Sequence, residues 1–159
     1  QELLTADIPI VVLLHEVNNP SNLGAVIRTA EGAGAGGLIA TRNSASAYSP
    51  KSLRASMGSA FRLPIWEGVK FAEAIGWAKE VRLIRTAAAG SMGTSHAEVD
   101  WRVPRLLVFG SEADGLSDEQ LASVDNSVSI RMGPEVESLN LAVAAGVLLF
   151  EARRQQGLE

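Results

Sequence analysis

The feature that most limits how this chain can fold is a short unbroken apolar run. IPIVVLLHEV, from Ile8 to Val17, ends abruptly at Asn18-Asn19-Pro20-Ser21-Asn22. A strand with one face in water alternates apolar and polar side chains. A run that is apolar at nearly every position belongs instead to a strand covered on both faces, as in a parallel sheet with helices on either side. Further strands are predicted at Leu38 to Thr41, Val81 to Ala87, Arg105 to Phe109 and Ser127 to Met132. Strands alternating with helices give an α/β fold with a mainly parallel sheet flanked by helices.

The helices are marked by their caps and stripes. Asn22 is a good N-cap for a helix whose inward residues are Leu23, Val26, Ile27 and Ala30, and glycines 32, 34, 36 and 37 end it. This sets an Asn-rich turn at the carboxyl end of the first strand, where ligands of open α/β sheets bind. Arg28 lies about 140° round the helix from Leu23, off the apolar stripe. A solvated Arg and a functional one explain it equally well. Ser49 and Pro50 cap and start a short helix closed by Gly58, with Lys51, Arg54 and Arg62 forming the most basic neighbourhood of the chain. Phe71 to Lys79 reads as another helix, and Ser117 with Gln120 as a capping box for a short one. Residues 90–102 show no period and are expected to be loop with one turn.

The stretch from Ile130 to Gln155 carries the end of a strand, a turn at Gly133-Pro134, two acids and a long apolar helix. Leu139, Val143, Gly146 and Phe150 recur at helical spacing and predict its core stripe. Leu141, Ala145, Leu148 and Leu149 add apolar surface on other faces, which predicts a second copy of the chain against it. Ser138 and Asn140 stand at the helix start, beside unpaired backbone N–H groups and the positive end of the dipole. Ser138 taken alone is an ordinary N-cap.

Composition removes several classes of function. The 159 residues suffice for one domain with a substantial core, and 47% are hydrophobic against 20% charged. The absence of Cys excludes disulfides and thiolate metal sites and fits a cytoplasmic protein. No run reaches transmembrane length and no signal-peptide pattern opens the chain. The net charge of −4 is unlike that of a stand-alone nucleic-acid binder, so the chain either avoids nucleic acid or leaves most phosphate contacts elsewhere. There is no Gly-x-x-x-x-Gly-Lys phosphate loop, and GSEADG is not the dinucleotide fingerprint. His15 and His96 have no metal-ligand spacing, His15 reads as a satisfied structural His, and no metal is expected. Glu112 and Asp114 share one short loop, better suited to holding a ligand than to flanking a bond.

Three polar loops remain, each following a strand: NNPSN, GSEADG and GPEVESLN. One at a time they are ordinary turns. Together, with Asn22, Arg28, Glu112, Ser138 and Asn140 in fixed order, they resemble the SpoU (TrmH) family of SPOUT RNA ribose 2'-O-methyltransferases. NNPSNLGAVIRTAEGAG is similar to its first motif, LLVFGSEADGLS to its second, and IRMGPEVESLNLAVAAGVLLFEARRQ to its third. SPKSLRASMGSAFRLPI resembles the usual middle segment, so the likeness covers nearly the whole chain.

The resemblance implies a C-terminal trefoil knot, which general rules of chain topology would not suggest. It implies S-adenosylmethionine as cofactor, near Gly110, Ser111, Glu112, Gly115, Ile130, Met132, Ser138 and Leu139, with Thr86, Ala87 and the loop after the strand that ends near them also touching it. It implies RNA as substrate, a homodimer, and Arg28, Asn22, Glu112, Ser138 and Asn140 as the catalytic set. Analogy favours rRNA over tRNA. Residues 1–159 would then be the catalytic domain, and because Gln1 is not a natural start, the C-terminal part of a longer protein. Two other readings stay open: a non-catalytic RNA-binding module that kept the fold, and an unrelated small-molecule α/β enzyme.

Overall fold

The structure, a computed structural model, describes residues 2–4, 6–7 and 9–158, apart from the side chain of Glu2. Seven strands form one sheet: β1 (Ile10–Leu14), β2 (Gly37–Thr41), β3 (Ile65–Val69), β4 (Ile84–Ala88), β5 (Thr94–Ser95), β6 (Arg105–Phe109) and β7 (Asn126–Ser129). Their order is β3-β2-β1-β6-β4-β7-β5 and every pairing is parallel. The helices are α1 (Pro20–Gly32), α2 (Pro50–Ser56), α3 (Phe71–Glu80), α4 (Asp118–Ala122) and α5 (Leu141–Gln155).

The apolar run does what its pattern requires. Val12 and Leu14 of β1, with Leu107 and Phe109 of β6, face the layer that holds α1 and α5. Val11 and Leu13, with Leu106 and Val108, face the layer built on Ala74 and Ala78 of α3. Residues 11–14 are completely buried. Each such aliphatic side chain stabilises the fold by about 1.5–3 kcal/mol relative to exposure. The strand is shorter than expected: Ile8 lies outside the described residues, and after Leu14 the backbone leaves the sheet, with Glu16 at φ 53°.

The inward stripe of α1 is as the sequence predicts, with Leu23, Val26, Ile27 and Ala30 at 0% exposure. Its cap is not. Asn19, rather than Asn22, accepts the first free amides, from Ser21 N at 2.9 Å and Asn22 N at 3.1 Å, and Pro20 takes the first helical position. Proline fits there because its missing N–H would have had no intrahelical partner. Asn22 is thus inside the first turn, and its side chain is available for other work. The caps at Ser49 and Ser117 fall where the sequence puts them, the latter as a complete capping box with Gln120.

Two strands have no counterpart among the expected ones. β3 alternates poorly because it is an edge strand, and β5 is only two residues long. The faces of α5 are also interchanged relative to expectation. Leu141, Ala145, Leu148, Leu149 and Ala152 form the buried face, while Val143 and Phe150 are about half exposed. Asn140, not Ser138, caps this helix, accepting from Ala142 N and Val143 N.

Candidate active site

The carboxyl ends of β4, β6 and β7 open into one cavity of about 480 Å³, a size that suits a small organic ligand. Ala88, Ala89 and Gly90 line it after β4, and Phe109, Gly110, Ser111, Glu112 and Gly115 after β6. Val128, Ile130 and Met132 contribute the third side, and Glu137, Ser138, Leu139 and Asn140 close it before Leu141, Ala144 and Leu148 of α5. Most of the wall is apolar. Among the described residues, its charged lining is Glu112 and Glu137, so it favours a ligand that carries positive charge.

The loop after β6 is shaped by close backbone packing. A Cβ at Gly110 would stand 2.7 Å from both Gly115 O and Leu116 N, closer than side-chain carbons come to such atoms. Gly115 takes φ 63° and donates its amide to Ser111 O at 2.9 Å, closing a tight turn. This turn presents Glu112 outward.

Asn22 is where three distant loops meet. Asn22 Nδ2 donates to Glu112 Oε1, and Asn140 Nδ2 donates to Asn22 Oδ1 at 3.2 Å. Asn140 performs this while its own Oδ1 caps α5, so its carboxamide is fixed at both ends. All three side chains sit at the rim, open to solvent, where a second reactant could reach them.

Most of the sequence-predicted residues lie at the cavity. Gly110, Ser111, Glu112, Gly115, Ile130, Met132, Ser138, Leu139 and Asn140 are on the cavity wall, and Asn22 is bonded to it. Thr86 and Ala87 are not. Both are completely buried inside β4, paired with Leu107 and Val108 of β6, and Thr86 Oγ1 accepts from Arg105 Nη1 at 2.8 Å. The strand runs one residue further than expected, to Ala88, so the wall begins beyond them. Arg28 also lies off the wall. It is exposed on α1, without an ion pair among the described residues, about 9 Å along the helix axis from Asn22.

The sequence points to the loop after β4 without naming Ala88, Ala89 and Gly90, and it does not single out Phe109, Val128, Glu137, Leu141, Ala144 and Leu148 for the cavity. The last three had a usable signal, because they recur at the i, i+3, i+7 spacing of one helix face.

His15 lies outside the cavity wall, held by two side chains. Its Nε2 accepts from Gln120 Nε2 at 2.9 Å and its Nδ1 donates to Thr41 Oγ1 at 2.9 Å. The orientation of Gln120 is fixed because its Oε1 accepts from Ser117 N, which assigns the tautomer. Burial pushes the His15 pKa down, against a smaller opposing pull from Glu16. Both ring nitrogens are partnered, as expected of a structural His. No group of three or more His, Cys, Asp or Glu that could hold a metal ion occurs among the described residues.

Residues 9–150 match the SpoU rRNA Methylase family. The chain is 37% identical over 145 residues to an uncharacterized tRNA/rRNA methyltransferase of Synechocystis, covering 91% of this chain and 53% of that protein. It is 37% identical over 150 residues to the 23S rRNA (uridine(2479)-2'-O)-methyltransferase of Streptomyces viridochromogenes, covering 91% and 52%. Among solved structures it is similar to the SpoU methyltransferase AviRb from Streptomyces viridochromogenes in complex with the cofactor AdoMet. The TM-score is 0.89 at 34% identity, covering 96% of this chain and 62% of that one. The chain therefore spans about half the length of these curated relatives.

Proposed function

The chain belongs to the SpoU rRNA methylase family, and from that premise we propose that it is the catalytic unit of an enzyme that methylates a ribose 2'-hydroxyl of RNA with S-adenosylmethionine. The observation that carries this reading is the cavity itself. It is apolar enough for an adenine and acidic where a sulfonium and an ammonium would need partners, and three loops meet at its rim. The Streptomyces relative is named for 2'-O-methylation of 23S rRNA, and AviRb was solved with AdoMet.

The residues present fit that cofactor. Gly110 has no room for a Cβ against Gly115 and Leu116, which lets the loop close tightly beside the cavity, and Ile130 and Leu139 line the same space. Ser111, Gly115, Met132 and Ser138 complete the proposed binding set, while Thr86 and Ala87 are assigned to the sheet beneath it. When bound, the cofactor supplies a methyl on a positively charged sulfur. Glu112 and Glu137 balance that charge, and the apolar wall excludes water.

The chain's remaining task is to hold the ribose and its proton. Asn22 and Asn140 are positioned to orient the 2'-hydroxyl over the rim, with Glu112 held between loops by the Asn22 amide. A guanidinium stays protonated in a protein, so Arg28 is not assigned as a base. It holds the phosphate next to the reacting ribose, and that phosphate takes the proton. The same reading includes a C-terminal trefoil knot, supported by the return of β7 beside β4 after β6. It also includes a homodimer through the outer face of α5, an rRNA substrate and a cytoplasmic setting. No helix among the described residues is long and apolar enough to cross a membrane.

Isothermal calorimetry with S-adenosylmethionine tests the cavity. Binding at micromolar to sub-millimolar concentration is expected, with Gly110→Ala strongly impaired. No heat at millimolar cofactor overturns the reading.

A further inference from the structure

The chain is acidic, but its charge is segregated. Between Glu31 and Glu67 there is no Asp or Glu at all, and this stretch holds Arg42, Lys51, Arg54 and Arg62. It is therefore +4 in a chain of −4, leaving −8 for everything else. Arg62 is paired with Glu31 at 2.9 Å. Lys51 and Arg54, three residues apart and so on one face of α2, are exposed and have no ion pair among the described residues.

The same surface exposes aromatic rings. Phe61 is 74% exposed and Tyr48, the only tyrosine of the chain, is 45% exposed; their ring centroids are 6.4 Å apart. The chain on either side of the rings is held in place. Ala47 is fully buried and donates its amide to Glu67 Oε2 at 3.0 Å, while Phe61 is anchored by buried Ala60 and Leu63. Tyr48 precedes α2 and Phe61 follows it in the chain, and Met57, which ends α2 in the left-handed conformation at φ 51°, is exposed.

This surface begins at the site. Ser52 Oγ donates to Pro20 O at 3.2 Å, and Gly24 lets α2 press against α1, because a Cβ there would run into Ser52 O and Ala55. The start of α2 is therefore seated on the turn that carries Asn22. We infer that Tyr48 and Phe61, with Lys51 and Arg54, form a docking platform for single-stranded RNA leading to the cavity rim. Bases stack on the two rings and flanking phosphates meet the two cations, a combination that tolerates any sequence. The inference rests on the methyltransferase reading only for its choice of RNA as occupant. The charge excludes an acid-rich groove, and the rings are too exposed to serve the chain's own core.

Fluorescence anisotropy with a labelled oligoadenylate of about twelve nucleotides, and with its duplex, tests this across several salt concentrations. Tyr48→Ala with Phe61→Ala is expected to weaken single-strand binding about tenfold or more without changing the salt dependence. Lys51→Ala with Arg54→Ala is expected to flatten the log–log salt slope by about 1.4, the value for two phosphate contacts on a single strand. The platform is overturned if wild type ignores the oligonucleotide or prefers the duplex, or if both pairs of substitutions bind as wild type. It is also overturned if the aromatic variant turns a dimer into a monomer by light scattering, which makes the surface a protomer interface. Calorimetry with S-adenosylmethionine on the same samples separates the two claims. A chain that binds RNA through α2 but no cofactor keeps the platform and loses the methyltransferase reading.

Discussion

Asn140 Nδ2 donates to Asn22 Oδ1 at 3.2 Å, joining side chains 118 positions apart. Asn22 passes the link to Glu112, 90 positions further along the chain from itself. One carboxamide thus caps α5 and aligns two other loops. Asn140→Ala removes both functions. It is expected to cost about 1 kcal/mol through the lost cap, lowering Tm by roughly 2–4 °C in a domain of this size. Asn140→Asp keeps an accepting oxygen for the cap but has no amide to give Asn22. Thermal melts should show stability recovered in the Asp variant while methyl transfer stays low.

Arg28 stands apart from the cavity, so its removal should spare the cofactor. Arg28→Ala is expected to abolish methyl transfer with S-adenosylmethionine affinity changed by less than about twofold, well under 1 kcal/mol. Arg28→Lys should also be poor, because a point charge does not reproduce a planar fork on phosphate. Full activity in the Lys variant, measured with saturating RNA, contradicts the role given to Arg28.

At Gly110 the constraint is steric. A methyl group there meets the Gly115 carbonyl and the Leu116 amide, both backbone, so the loop must move. Gly110→Ala is expected to weaken cofactor binding at least about tenfold, or 1.4 kcal/mol. Gly133→Ala, with nothing within 4 Å, is the control and should leave it unchanged. Calorimetry on the two variants compares them directly.

His15 gives the fold a pH dependence. Its ordinary pKa is 6.5 and burial lowers it in the folded chain. The unfolded chain therefore binds the extra proton first, so this contribution is fully present above about pH 6.5 and is lost as pH falls through the lowered folded value. The protonated ring would also turn a second N–H toward the Gln120 amide. Denaturant midpoints should fall from about pH 7 to pH 5 in wild type, and the fall should be shallower in His15→Gln. Equal profiles would mean that His15 does not titrate in this way.

How much of this was legible in the sequence depended on whether the deciding interaction was local. Short apolar runs bounded by turn residues identify β1 and β6, because a strand covered on both faces accepts apolar residues at every position. Ser117 and Gln120 lie within one turn of each other, and that cap was read correctly. The cap of α1 was misplaced because Asn19 and Asn22 are equally good in isolation, and only Pro20 decides between them. The faces of α5 were interchanged because the helix is apolar nearly all round. The choice between Leu148 and Phe150 was made by the sheet and α1, not by the helix itself. Thr86 and Ala87 were placed on the cavity wall because a strand end cannot be fixed to one residue from its sequence, and the wall starts just past Ala88. The Asn22–Glu112–Asn140 link joins segments far apart in the chain, and no local pattern contains it.

The interchange of faces makes the dimer prediction more specific. Val143 and Phe150, one heptad apart, stay half exposed on α5, with Phe150 close to Gly32 of α1. An exposed apolar stripe of this kind fits a second copy of the chain. Phe150→Glu is expected to shift the protein from dimer to monomer at micromolar concentration in light scattering. A wild-type chain that is already a monomer contradicts the assignment.

The most direct measurement is methyl transfer itself. The protein is incubated with S-adenosylmethionine labelled in its methyl group and with total RNA, which is then digested to nucleosides. The account predicts label in a 2'-O-methylnucleoside, dependent on Arg28 and Glu112. Label on a base, or no transfer to any RNA by a chain that binds the cofactor, contradicts it.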